Sequence, residues 1–235
     1  MIIEFFGLPG VGKSTLADQL RSSLHDAGYS ARVTTRNVGP KARAISRYFR
    51  KMLMILLMLV RHPRAATQVL RSLRHSNQRP PVQAWHRWVD WMVAQALLVE
   101  GPSSGFAILE QGSLQAIWSM GIRGDLGGPL DAIVQTRHSW LMPDVVVAVE
   151  APLDQISARL DARGSQHSRL QEDGHLHQGE LDRAERLMSA VLTGTESIGL
   201  SRESTITIQN TEGSPPAEVA AVLARTLIEL SGAGP

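Results

Sequence analysis

Gly7-Leu8-Pro9-Gly10-Val11-Gly12-Lys13-Ser14 stands between Ile2–Phe6, a short β-branched and aromatic run, and Lys13–Ala27, an amphipathic segment closed by Gly28. The eight residues fit the pattern G-x-x-x-x-G-K-[ST] without exception. Each part has a separate physical reason. The glycines let the backbone turn tightly and aim successive N–H groups inward at phosphate oxygens. Lys13 adds a point charge, and the Ser14 hydroxyl is placed to hold Mg²⁺. The helix that starts here directs the positive end of its dipole at the same anion. A buried strand before the loop and a helix after it supply the context the pattern needs. The stretch Gly7, Pro9, Gly10, Val11, Gly12, Lys13, Ser14 and Thr15 is therefore expected to cradle the phosphates of ATP.

Outward from the loop, strands alternate with helices. Ala31–Thr35 reads as a second strand, followed by helical segments over Lys41–Arg61, Arg64–Ser76 and Gln83–Glu100, broken by Pro63 and Pro80-Pro81. Phe106–Glu110 is a third strand. Leu114–Met120 and Leu130–Trp140 read as helices, and Val145–Glu150 is an unbroken apolar strand. Leu153–Arg163 is a helix ended by Gly164, and the polar, glycine-punctuated stretch 164–179 reads as a lid. Glu180–Leu192 is helical, Thr205–Ile208 is strand five, and Pro216–Leu230 is the last helix. This alternation implies an α/β fold, a five-stranded parallel sheet with helices on both faces and a helical insertion at 40–100 after strand two. The 235 residues suit one such domain.

The chain has no cysteine. That excludes a disulfide framework, thiolate metal sites and cysteine catalysis, and it fits a reducing, cytoplasmic setting. Residues 1–10 show no secretory pattern. Charge is unevenly spread. Residues 27–89 hold thirteen Lys/Arg and no Asp/Glu. Such a stretch is either a solvated basic face or a surface that meets an anion.

Three further features carry chemistry: Thr34-Thr35-Arg36-Asn37-Val38-Gly39 after strand two, Ile108-Leu109-Glu110-Gln111-Gly112 after strand three, and Arg159 to Arg163 with Arg169 after the Pro143-Asp144-led strand. Together with the phosphate loop they resemble the thymidylate-kinase-like branch of the nucleoside and nucleotide kinases. That resemblance implies a three-layer P-loop kinase fold and MgATP-dependent phosphoryl transfer to a small-molecule acceptor. Two departures stand out. The family carries Asp-Arg or Glu-Arg after strand three, where this chain has Glu110-Gln111, and Asn37 replaces an acidic residue common after strand two. Both face the acceptor in the family, so acceptor identity is the least transferable part.

The candidate roles follow. Lys13 and the lid arginines Arg159, Arg163 and Arg169 would neutralise transferring phosphate charge. Glu110, at the carboxyl edge of a buried strand, would take a proton from an acceptor hydroxyl or join Ser14 in the Mg²⁺ shell. Arg36, Gln111 and Arg123 are candidate acceptor contacts. Trp85, Trp88 and Trp91, three apart, read as core packing rather than a pocket wall. His175 and His177 have no third ligand near them in sequence and read as lid polarity. Met52–Val60, nine apolar residues between Arg50-Lys51 and Arg61, is too short to span a bilayer. Burial is the expectation for it; the alternative is peripheral membrane contact through 41–61. The expected acceptor is anionic, either a nucleotide, nucleoside, sugar phosphate or specialised metabolite. Nucleic acid is not an expected partner, and a homodimer is an open alternative. The rival classes are a regulatory or assembly ATPase without a small-molecule acceptor, and a peripheral membrane kinase of a lipid-linked acceptor.

Overall fold

A computed structural model of the chain describes residues 1–34, 44–102, 104–162, 171–172, 175–176, 178–211, 213 and 215–232; for 44–47, 171–172, 175–176, 178 and 202 it describes the backbone alone. Ile2–Phe6 forms β1, buried from Ile3 onward, and the helix α1 (Lys13–Asp26) follows the loop. The edge strand β2 (Ala31–Val33) leads towards three helices, α2 (Ala44–Arg61), α3 (Pro63–His75) and α4 (Val82–Val99). Next come β3 (Phe106–Leu109), α5 (Ser113–Ile122), α6 (Gly127–Gln135), β4 (Val145–Glu150) and α7 (Leu153–Ala162). A two-stranded antiparallel pair, β5 (Gln171–Glu172) and β6 (His175–Leu176), falls within the predicted lid. The chain closes with α8 (Gln178–Thr193), β7 (Thr205–Gln209) and α9 (Pro216–Ser231).

Five strands form a parallel sheet in the order β2-β3-β1-β4-β7. The chain steps from β1 out to β2, returns to β3 beside β1, and then crosses to β4 and β7. Right-handed crossovers place helices reached in opposite directions on opposite faces. Accordingly α1 packs with α9 on one face, and α4, α5 and α8 stack on the other. β1 and β4, apolar on both sides, are buried because both faces are covered. The reversal of strand order at β1 makes the crevice beyond its carboxyl end the natural ligand site of such a sheet.

One residue of β1 breaks its apolar pattern. Glu4 is fully buried, and β1 pairs with β3 so that Glu4 lies beside Leu109. From there its carboxylate reaches the start of α5. Oε2 accepts from Ser113 N–H at 2.8 Å, and Oε1 accepts from Leu114 N–H at 2.8 Å and Gln115 N–H at 3.1 Å. These are the donors a helix start leaves without intrahelical partners. Gly112 is required for the approach, because a Cβ there would collide with the Glu4 carboxylate.

Burial pushes the Glu4 pKa from 4.5 up to about 7, and the backbone N–H groups of residues 112–115 pull it back down. A carboxyl whose folded pKa exceeds its unfolded one binds its proton more tightly when folded. Its contribution is therefore present in full below about pH 4.5 and is lost as pH rises through about 7. Between about pH 5 and about pH 8 the unfolding free energy of the wild type should fall by on the order of 2 kcal/mol. Glu4→Gln should flatten that slope. Urea titrations of both proteins across this range check the expectation, and equal slopes would show that Glu4 holds no proton in the window.

Candidate active site

The loop after β1 is shaped by two glycines with left-handed backbone, Gly10 at φ 90° and Gly12 at φ 96°. Gly12 is the N-cap of α1 and offers no side-chain oxygen; no acidic residue stands in the first turn. The first N–H groups of α1 therefore lack the side-chain cap that helix starts ordinarily recruit. Such an end fits an anion. Lys13 curls back over the loop, its Nζ donating to Gly7 O at 2.6 Å and Leu8 O at 2.9 Å. The ammonium is thus held at the loop by the carbonyls of Gly7 and Leu8, a charge available to an approaching phosphate.

Two neighbours hold the loop from outside. α7 packs on Gly10, with the Ile156 carbonyl and the Leu160 side chain at the distance a Cβ there would touch. Asn210, buried just after β7, donates from Nδ2 to Val11 O, and its own backbone N–H donates to Glu150 O at 2.8 Å. The amide also fills the space beside Gly12, so no side chain fits at that position.

On the β3 side, Ser14 Oγ donates to Glu110 Oε2 at 3.0 Å. Adjacent placement of β1 and β3 brings these residues together across 96 positions of sequence. A hydroxyl and a carboxylate side by side at the mouth of a phosphate loop are a donor set suited to Mg²⁺, which takes one or two protein oxygens and completes its shell with phosphate and water. Glu110 is half-buried, Gln111 exposed and Gly112 buried. Thr15 stands exposed in the first turn of α1. Arg123 caps the far end of α5, whose ten residues put about 15 Å between it and Glu110's end of the helix; its carbonyl accepts from Arg79 N–H. Among the described residues no group of three or more His, Asp or Glu side chains is disposed to hold a metal ion.

Of the lid arginines, Arg159 lies on α7 beside Leu160, next to the loop. Its Nη2 donates to Gln155 Oε1 at 3.3 Å, and its buried Nη1 has no hydrogen-bond partner among the described residues. Arg163, Arg169, Arg36 and His177 lie outside the described residues, as does the 35–39 turn. On the β4 flank, away from Glu110, a cavity of about 540 Å³ is bounded by Leu8, Val11, Glu150, Ile156 and Met188. Its size is that of a small-molecule site.

Sequence reasoning missed Glu4 and Asn210. A lone acid inside a strand that is otherwise apolar was a signal for the first, because a buried carboxylate needs donors. Asn210 follows the fifth sheet strand, and no local pattern marks it.

No family model matches the chain, and no curated protein matches it. Solved structures do. The chain is similar to deoxyadenosine kinase from M. mycoides with bound dATP, at 13% identity and a TM-score of 0.54, over 97% of this chain and 100% of that one. The same enzyme with bound dCTP matches at 12% identity and a TM-score of 0.52, over 98% and 100%. The chain shares the fold of that enzyme, a five-stranded parallel sheet with helices on both faces, as the alternation of strands and helices implied.

Asn210 is the test of the loop's outer support. Asn210→Ala should cost about 1–2 kcal/mol of stability, because Val11 O loses a buried donor. It should also weaken ATP binding severalfold by loosening the loop. Denaturant unfolding and calorimetric titration with ATP measure the two, and unchanged ATP affinity would show that the loop keeps its shape without Asn210.

Proposed function

We propose that this chain is a kinase that transfers the terminal phosphoryl group of ATP to a small-molecule acceptor, either a hydroxyl of a nucleoside or a phosphate oxygen of a nucleotide. The observation that carries the reading is the Ser14–Glu110 pair at 3.0 Å beside an uncapped helix start. A structural strand turn has no packing need for that combination.

In the proposed reaction the acceptor oxygen bonds to the terminal phosphorus, the bond from that phosphorus to the bridging oxygen breaks, and ADP leaves. Where the acceptor is a hydroxyl, Glu110 takes its proton. The loop N–H groups and Lys13 bind and orient the phosphates, and Arg159 adds positive charge from α7. Ser14 would hold Mg²⁺, which would supply further charge neutralisation when bound. Arg163 and Arg169 are proposed to complete the arginine set from the lid, and the 40–100 helices to form the acceptor side with Arg36, Gln111 and Arg123.

An anionic acceptor draws less support than the basic stretch first suggested. Arg50 is paired with Glu100 at 2.6 Å and Arg87 with Asp90 at 3.3 Å. Arg61, Arg64, Arg71 and Arg74 are exposed on α2 and α3. Arg36, Lys41, Arg43 and Arg47, whose side chains lie outside the described residues, are proposed as the cations of this stretch open to an acceptor anion. The acceptor screen should therefore span nucleosides and their monophosphates, with binding measured against salt.

Lys13→Ala should abolish ATP turnover in a folded protein, and turnover at the wild-type rate would sink the phosphate-loop assignment. Glu110→Gln should cost about a hundredfold or more in transfer with little change in ATP affinity if it acts as a base. Falling ATP affinity with unchanged transfer per bound ATP would make it a metal-shell residue instead. ATP hydrolysis without transfer to any acceptor would favour a regulatory ATPase.

A further inference from the structure

Helix α2 divides in a way its sequence does not announce. Met54 and Met58 are buried, but Tyr48, Phe49, Met52, Leu53, Leu56 and Val60 are between 56% and 73% exposed. At 3.6 residues per turn these six fall within one arc of about 140°. No charged residue lies inside that arc. Lys51 lies about 60° beyond one edge of it and Arg61, the last residue of the helix, about 80° beyond the other, and Arg50, on Arg61's side, is tied to Glu100. Across the His62–Pro63 junction, α3 exposes Arg64, Arg71 and Arg74.

An uncharged apolar stripe of this size on a soluble face marks a docking surface. The charge around it selects the occupant. Residues 27–89 contain no acidic residue. If a second copy docked here through the same face, no register of α2 and α3 against themselves would bring a carboxylate to an arginine. An anionic lipid surface satisfies both parts at once: acyl chains receive the stripe, and headgroup phosphates receive the bordering cations, whose long side chains reach outward from an apolar helix. None of the described helices is long and apolar enough to cross a membrane, so α2 would lie along the surface.

We propose that α2 docks this protein on anionic membranes, with Tyr48, Phe49, Met52, Leu53, Leu56 and Val60 entering the interface and Lys51, Arg61 and Arg64 contacting headgroups. Flotation of the full chain with vesicles tests this, using phosphatidylcholine and phosphatidylglycerol in equal parts against phosphatidylcholine alone. The chain should float with the mixed vesicles only, and added salt should release it. Arg61→Ala and Arg64→Ala should each lower partitioning roughly fivefold. Leu53→Glu with Leu56→Glu should lower it more than tenfold, since each leucine loses its apolar burial and gains a repelled charge. Because both leucines are exposed, thermal unfolding of that variant should match the wild type. Failure to float with mixed vesicles, or equal flotation with both kinds, overturns the proposal. So does sedimentation showing a dimer that the double variant converts to monomer, which would make α2 a face between copies.

Discussion

A helix that starts at the end of a buried strand with no cap is the constraint on which this architecture turns. Most helix starts satisfy their leading N–H groups with a Ser, Thr, Asp or Asn side chain. α1 has Gly12 there instead, in a backbone conformation that favours glycine, with Asn210 filling the space a side chain would need. The donors are kept available, and the surrounding elements keep them so. α7 presses on Gly10, Asn210 ties Val11, and Lys13 spans the loop carbonyls. The same sheet edge solves the problem the opposite way at α5, where Glu4 supplies the carboxylate from below. One helix start is closed by the protein's own carboxyl group and its neighbour is left uncapped.

That contrast bears on how much could be read from the chain alone. The strands β1, β3 and β4 and every long helix were legible to within a few residues, because burial on both sheet faces writes continuous apolar runs and Gly or Pro closes most of the helices. The phosphate loop was legible because its demands are local. Ser14 and Glu110 were each legible, but their pairing rests on β1 lying beside β3, a fact of topology. Glu4 escaped because its partners are backbone N–H groups more than a hundred positions away, and Asn210 because its acceptor is a backbone carbonyl. Backbone partners leave no residue signature.

The apolar run Met52–Val60 shows a different limit. Hydrophobicity alone gives no direction, and burial was the natural expectation. Met54 and Met58 meet it by packing towards α4, while Met52, Leu53 and Leu56 do not. The sequence is apolar all round that turn of helix, so only the packing of α3 and α4 decides which side faces out. Trp85, Trp88 and Trp91 divide for the same reason: the last two are buried, with Trp88 Nε1 donating to Ala66 O at 2.9 Å, and Trp85 stands half-exposed at the helix start.

The departure at Gln111 follows from how unevenly the three residues after β3 are constrained. Glu110 is set by the strand end and by Ser14, and Gly112 by the Glu4 carboxylate beneath it. Gln111 between them is exposed. An arginine or a glutamine there costs the fold nothing, since neither packs nor caps. A residue free of structural duty can change with the acceptor while the phosphate loop, which the fold over-determines, stays fixed. Glu110 and Gly112 are therefore the two of the three that the fold holds in place, and Gln111 is the one it leaves open.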